Sequence, residues 1–372
     1  MNKPIRILQV LATLNIGGAE TLVMNIYRNI DRSKIQFDFM IHTNEKCDYE
    51  DEVLALGGRI YRVSRYKGKN HFIYKKEWNN FFKNHKEHKI IHGHIRSIAA
   101  IYLKIAKKYG RITIAHSHST ASRGNSLEQI AKNIMQLPIR YIGDYFFACS
   151  NEAGKWLFGK KILNNKNYKL IKNGIEVEKY IFNEKKRKKI RKALKLNGKF
   201  VIGHVGTFTY PKNHKFLIEI FNEVYKINPN SILLIVGEGS LEKQIKEQIK
   251  KLKLESKVIF AGSVLNVGDY LQGMDSFLFP SIFEGMPMSL IEAQASGLNC
   301  IVSDSITKES KILNSVKYIS LKESSKYWAR KILETSYENG RRNTSKEITN
   351  NGYNIKSIVK DLEDVYYLMQ RR

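Results

Sequence analysis

Short runs of β-branched and apolar residues alternate with helical stretches along this chain, and the alternation breaks once and then restarts. Before the break the strand-like runs are Ile5–Leu11, Phe37–Ile41, Arg59–Val63, Ile90–His92, Thr113–Ala115 and Tyr145–Cys149. Helical patterns between them include Ala19–Ile30, Ile98–Tyr109 and Leu127–Tyr141. The last holds Pro138, whose missing N–H should kink or restart the helix. After the break the strand-like runs are Val201–Val205, Ser231–Val236, Lys257–Phe260, Ser276–Phe279 and Asn299–Val302. Helices are expected over His214–Asn228, Leu241–Leu252, Val267–Met274 and Pro287–Ser296. Strands separated by helices pair in parallel, with the helices covering the sheet faces. The fold class is therefore α/β, built as two Rossmann-like domains facing each other across a cleft.

The break comprises the turn Asn173-Gly174 and the charged run Lys185–Lys192 (KKRKKIRK). We place the domains at residues 1–183 and 184–352, followed by a C-terminal helix within 353–372 whose amphipathic stretch is Ser357–Met369. A length of 372 residues suits two domains, and 42% hydrophobic residues suffice for two cores. Three cysteines, Cys47, Cys149 and Cys300, make no disulfide framework and read as reduced thiols of a cytoplasmic protein. The apolar run Ile7–Leu14 is too short to span a bilayer, and no other stretch approaches eighteen apolar residues. The net charge of +28, from 63 Lys+Arg against 35 Asp+Glu, draws anions: nucleic acid, anionic lipid or phosphorylated substrates. Lysine, asparagine and isoleucine are all abundant, as genome bias also produces.

The stretch Phe279–Ala293 carries the densest chemistry. It ends an apolar strand, turns at Pro280-Ser281 and opens a helix, with Glu284 and Glu292 eight positions apart. Gly285 lets the backbone approach a ligand closely. Pro287 suits a first helical turn, where its missing N–H costs nothing. The amides of Met286 and of Met288, Ser289 and Leu290 are then free to hold an anion at the positive end of the helix dipole. At roughly 1.5 Å per residue the two glutamates stand about 12 Å apart, enough to hold hydroxyls at opposite ends of a nucleotide-sugar.

Glu-x7-Glu after Phe-x-Pro-Ser resembles the donor-binding signature of family 4 glycosyltransferases, retaining enzymes of GT-B fold. The likeness extends along nearly the whole chain. By that resemblance Glu284 meets the donor sugar and Glu292 the ribose. Thr13–Glu20, with Gly17 and Gly18, is similar to the family's loop facing the donor diphosphate from the first domain. His116, in Ile114-Ala115-His116-Ser117, matches the histidine facing the donor sugar, where an imidazole can bond a hydroxyl or move a proton. His118 is the alternative if the strand end lies two residues on. Lys212, in Val205–Asn213, matches the lysine that neutralises the leaving diphosphate. The family's arginine after Gly206 is Thr207 here. That departure implies a weaker clamp, a compensating cation such as Arg123 or Lys172, or reduced activity. Gly237, Glu238 and Gly239 stand where the family approaches the nucleotide, and Phe260–Val264 where backbone groups meet the base.

His92-Gly93-His94 and His116-Ser117-His118 lack zinc-site spacing, and no DxD metal motif is evident in the donor segments, so metal independence and no cofactor are expected. His92 and His94 read as structural or cleft-lining. The implied activity is transfer of a sugar from a nucleotide diphosphate donor, UDP-linked by expectation, to a lipid-linked glycan of a capsule or exopolysaccharide. Basic clusters at Lys104, Lys107 and Lys108, at Lys185–Lys192 and at Lys243–Lys253 suggest a peripheral place on the inner face of an anionic membrane. No nucleic-acid-binding signature accompanies the charge. A UDP-sugar 2-epimerase on the same fold and a non-catalytic anion-binding protein are the alternatives. Sequence says nothing of oligomeric state.

Overall fold

A computed structural model describes residues 3–119, 126–264, 266–336 and 340–371. The chain forms two compact units, residues 1–174 with 355–372, and residues 175–354. The first holds a seven-stranded sheet: β1 (Ile5–Val10), β2 (Ile35–Ile41), β3 (Ile60–Arg62), β4 (Ile90–Gly93), β5 (Ile112–Ser117), β6 (Tyr145–Ala148) and β7 (Tyr168–Leu170). Its order is β3-β2-β1-β4-β5-β6-β7. The second holds six: β8 (Phe200–Val205), β9 (Ser231–Val236), β10 (Val258–Phe260), β11 (Ser276–Phe279), β12 (Asn299–Ser303) and β13 (Val316–Ile319), in the order β10-β9-β8-β11-β12-β13. Every described pairing is parallel. Both units are thus Rossmann-like α/β layers.

Parallel strands are covered on both faces, so they bury continuous apolar runs. β2 (IQFDFMI) and β9 (SILLIV) are buried at every position. Alternate residues feed opposite faces. In β9, Leu233 and Ile235 join one apolar cluster while Ile232, Leu234 and Val236 join the other. β7 and β13 went unseen in the sequence because each is short, three and four residues, and only partly buried. Leu127–Tyr141 splits into helices Ser126–Gln136 and Ile139–Ile142 around Pro138, where a restart was expected.

The unit boundary falls at Gly174/Ile175, nine residues before the expected one. The apolar residues just past the turn decide it. Ile175 and Val177 bury with Ile291, Ala295, Ile348 and Tyr353 of the second unit, and Ile175 N–H donates to Tyr353 C=O at 2.8 Å. The charged run lies within the second unit. It forms helix Glu184–Ala193, where Arg187 and Arg191 grip Asp275 at 2.5 and 3.1 Å.

The terminal helix Ile355–Gln370 belongs to the first unit. Ile355, Ile358, Val359, Leu362, Tyr366 and Met369 recur at helical spacing and complete the apolar cluster above β1, β2 and β4. Gly174 permits the approach, since a Cβ there would meet Ile358 and the backbone of Ile355.

Candidate active site

In the second unit the strand order reverses between β8 and β11, so the loops leaving these neighbours turn to opposite sides and leave a crevice at their carboxyl ends. Two hydrogen bonds tie the loops together: Ile282 N–H donates to Pro211 C=O at 2.8 Å, and Asn213 Nδ2 donates to Pro280 C=O at 3.0 Å. They bring Lys212 Nζ to 2.8 Å from Glu284 Oε1, both side chains mostly shielded from solvent. The ammonium also lies 4.7 Å from the Phe279 ring centroid, within cation–π range.

Glu292 lies on helix Met288–Ala295, and Tyr180 O–H donates to its Oε1 at 3.0 Å. Desolvation pushes this carboxyl up to about 7, against the downward pull of the Tyr180 hydrogen bond and the Lys212 charge. Tyr180 escaped sequence reasoning. Its only mark is a phenol in the mixed stretch Ile175–Phe182 (IEVEKYIF) after the Asn-Gly turn.

The helix start differs from expectation. Pro287 stands at the capping position with ψ 95°, one residue before the first turn, and its carbonyl accepts from Leu290 N–H at 3.1 Å. Leu290 therefore gives its amide to the protein and its side chain to the core. Met288 and Ser289 remain as first-turn amides without an intrahelical acceptor. A Cβ on Gly285 would meet nothing within 4 Å, so no protein atom accounts for a glycine there. Met286 approaches Tyr353, whose hydroxyl donates to its sulfur at 3.5 Å.

Gly206 and Gly237 serve the stacking of loops. Gly237 has φ +131°, and a Cβ on it would strike the carbonyl oxygen of Gly206. A Cβ on Gly206 would sit 3.1 Å from Lys212 Cδ and Cε. Phe208 N–H donates to Glu238 C=O, and Gly237 N–H to Gly262 C=O, each at 2.9 Å. Glu238 contributes its backbone while its side chain is exposed. Val264 packs against the apolar cluster that holds Phe279 and Leu290. Thr207 is exposed. Of the two compensating cations, Lys172 belongs to the first unit and Arg123 lies outside the described residues.

In the first unit Gly17 caps helix Gly18–Asn29 in an extended conformation, and a Cβ there would meet the Glu20 carboxylate. A Cβ on Gly18 would meet nothing within 4 Å. β5 runs two residues beyond the expected Ala115, so His116 lies inside the strand, buried, and His118 follows its end. His92, His94, His116 and His118 form one stack. The His116 and His118 ring centroids are 4.0 Å apart, those of His92 and His94 4.4 Å. His92 Nε2 lies 3.1 Å from His116 Nδ1, and His94 Nδ1 lies 2.8 Å from His118 Nε2. Tyr366 Oη is 2.7 Å from His92 Nδ1, and Gln9 Oε1 is 2.8 Å from His94 Nε2. Burial depresses all four imidazoles, His92 and His118 to about 3 and the other two well below the usual range. They are neutral at pH 7. Ring nitrogens of His92, His94 and His116 come within 4.8 Å of one another, close enough for three ligands of one transition metal. Gln9 and Tyr366, which touch this stack, were not singled out from the sequence, although Gln9 interrupts the apolar run that starts at Ile7.

Elsewhere in this unit two large apolar side chains open helix His71–Asn84 in solvent, Phe72 at 83% and Ile73 at 61% exposure. Arg65, Lys67, Lys69, Lys75 and Lys76 are exposed around them, and no carboxylate occurs from 64 to 76.

Two family models match the chain: "Glycosyltransferase Family 4" over residues 16–179 and "Glycosyl transferases group 1" over residues 185–355. EpsF of Bacillus subtilis (strain 168), a glycosyltransferase by name, is 32% identical over 368 residues, 97% of this chain and 96% of that protein. The capsular polysaccharide biosynthesis glycosyltransferase CapH of Staphylococcus aureus is 26% identical over 318 residues, 83% of this chain and 84% of CapH. Among solved structures, Anabaena HepE in complex with UDP and glucose aligns with TM-score 0.73 at 16% identity, over 98% of this chain and 99% of its own.

Proposed function

The chain belongs to the family 4 glycosyltransferases, and on that premise we propose that it transfers a sugar from a UDP-linked donor to a lipid-linked glycan acceptor in capsular or exopolysaccharide synthesis. The observation that carries this is the Lys212–Glu284 pair, held across the strand-order reversal of the second unit. Glu284 accepts hydrogen bonds from sugar hydroxyls. Lys212, with the amides of Met288 and Ser289, takes the charge that builds on the departing diphosphate. Glu292 accepts from the ribose. HepE, similar in fold, is solved with UDP and glucose, which supports the choice of nucleotide. CapH supports the class of product.

The reaction retains configuration. The C1–O bond to the diphosphate breaks as the acceptor oxygen bonds C1 from the same face, and the acceptor proton passes to the leaving phosphate oxygen. The cation of Lys212 serves in place of a metal. The test is thermal stabilisation by UDP and UDP-sugars, with and without EDTA. Ligand at 100 times its dissociation constant adds about 2.7 kcal/mol. A shift that survives EDTA, with NMR of the product showing the donor's anomeric configuration, supports the proposal. Isomerisation of a free UDP-sugar without acceptor would replace it with the 2-epimerase reading.

A lipid-linked acceptor calls for a membrane-facing surface. The Phe72-Ile73 tip with its five cations has the chemistry to enter an anionic headgroup layer. Co-sedimentation with phosphatidylglycerol vesicles should fall at high salt and in Phe72→Ser/Ile73→Ser. Equal binding by that variant would exclude the tip.

A further inference from the structure

The histidine stack of the first unit has a hydrogen-bond polarity that follows from the orientation of the Gln9 amide, Oε1 toward His94 and Nε2 toward Tyr366. Gln9 Oε1 accepts only, so His94 must donate through Nε2–H. His94 Nδ1 is then a lone pair, and it accepts from His118 Nε2–H. His118 Nδ1 is left as a bare lone pair. The second string starts from the same residue. Gln9 Nε2–H donates to Tyr366 Oη at 3.5 Å, and His92 Nδ1, 2.7 Å away, is the acceptor we assign to the phenolic proton. His92 then donates through Nε2–H to His116 Nδ1, and His116 is left with an Nε2–H. All four rings are thus the same tautomer, protonated on Nε2.

The two strings end on opposite characters. His116 Nε2 and His118 Nδ1 are both buried and have no partner among the described residues. They stand on neighbouring rings whose centroids are 4.0 Å apart, one a donor and the other an acceptor. Orphaned buried polar atoms are rare in folded proteins and call for an occupant. One O–H group satisfies both, its oxygen accepting from His116 and its proton going to His118. We infer that Gln9 and Tyr366 are positioning residues that lock His116 as donor and His118 as acceptor for a single hydroxyl group of a sugar. This rests on the transferase reading only for the identity of the hydroxyl; a water molecule has the same chemistry.

The experiment is long-range 1H–15N correlation on the full chain with labelled histidine. The expected spectrum assigns all four rings to the Nε2–H tautomer. In Gln9→Glu the carboxylate accepts from both His94 and Tyr366, so Tyr366 no longer donates to His92. His92 and His116 should then switch to Nδ1–H while His94 and His118 stay. Mixed tautomers in the wild type, or a Gln9→Glu spectrum in which none or all of the rings switch, would overturn the locking. One equivalent of tightly held zinc on these rings would overturn it too.

Titration with UDP, UDP-glucose, UDP-galactose and UDP-N-acetylglucosamine separates the sources of the hydroxyl. A UDP-sugar that moves His116 Nε2 and His118 Nδ1 where UDP does not identifies a sugar hydroxyl, and its affinity should fall about tenfold in Gln9→Glu with UDP affinity unchanged. UDP binding with no sugar response leaves water in the pair and rejects sugar recognition. Absence of any nucleotide binding rejects the transferase reading and the sugar assignment, while the tautomer spectrum still decides the locking.

Discussion

Glu292 meets neutral pH close to half ionised because its surroundings remove solvent from the carboxylate, and that sets its pH behaviour. Its folded pKa, about 7, lies above the unfolded value, so the folded state binds the extra proton between these two values. The ligand-free protein is therefore most favoured at the acid end of this window and loses stability as pH rises through about 7. Glu292→Gln, which mimics the protonated form, should melt higher than wild type at pH 8. If the carboxylate accepts ribose hydroxyls, wild-type UDP affinity should rise from pH 6 to pH 8, and Glu292→Gln should bind weakly with a flat profile in calorimetry. At the same scale, if Lys212 takes the charge on the departing diphosphate as proposed, Lys212→Ala should cost about 100-fold or more in kcat. Glu284→Gln leaves that cation without its counter-ion. Chemical denaturation should show a loss of about 1–3 kcal/mol, alongside weaker sugar binding.

At the scale of elements, the loops that carry these side chains hold their places through backbone contacts. Gly237 joins two strand-end loops at a φ that side chains rarely adopt, with the Gly206 carbonyl against it. Gly237→Ala should cost about 1–3 kcal/mol and displace Lys212 through Gly206, visible as a lower urea midpoint and weaker nucleotide binding. The charged helix Glu184–Ala193 docks through Asp275, which binds Arg187 and Arg191 and also accepts from Val201 N–H at 2.7 Å. Asp275→Ala strands two guanidiniums beside β8 and should destabilise the protein by about 3 kcal/mol in denaturant titration. A run of lysines and arginines that the sequence offered as a basic cluster for an anionic surface is thus, on one side, a structural clamp.

Across the whole molecule, the chain leaves the first unit at Gly174 and returns at Ile355 with the helix that supplies Tyr366 to the histidine stack. Four neutral imidazoles, three of them buried and His118 partly so, make the first unit sensitive to acid. Below about 6.5 the unfolded chain takes up protons that the folded rings refuse, His92 and His118 until about 3, so stability falls as pH drops across that window. His92 alone should contribute about 2–3 kcal/mol of this loss by pH 4.5. Thermal unfolding from pH 7.5 to 4.5 should show the fall, and His92→Asn should flatten it.

Periodicity and turn chemistry are local, and they were enough to define most strands, the two-fold α/β repetition and the Glu284–Glu292 spacing. The strand end, glycine turn and helix start around Glu284 were legible because they are consecutive in the chain, whereas Lys212 was named by family resemblance and only the structure places it 2.8 Å from Glu284. The unit boundary, the partner of Glu292 and the support of the histidines were not. Each depends on residues far apart in sequence: Ile175 on Tyr353, Tyr180 on Glu292, Gln9 and His92 on Tyr366. Burial selects such partners. A polar group taken out of water must find a donor or acceptor wherever the fold places one, and only the tertiary structure decides which residue that is.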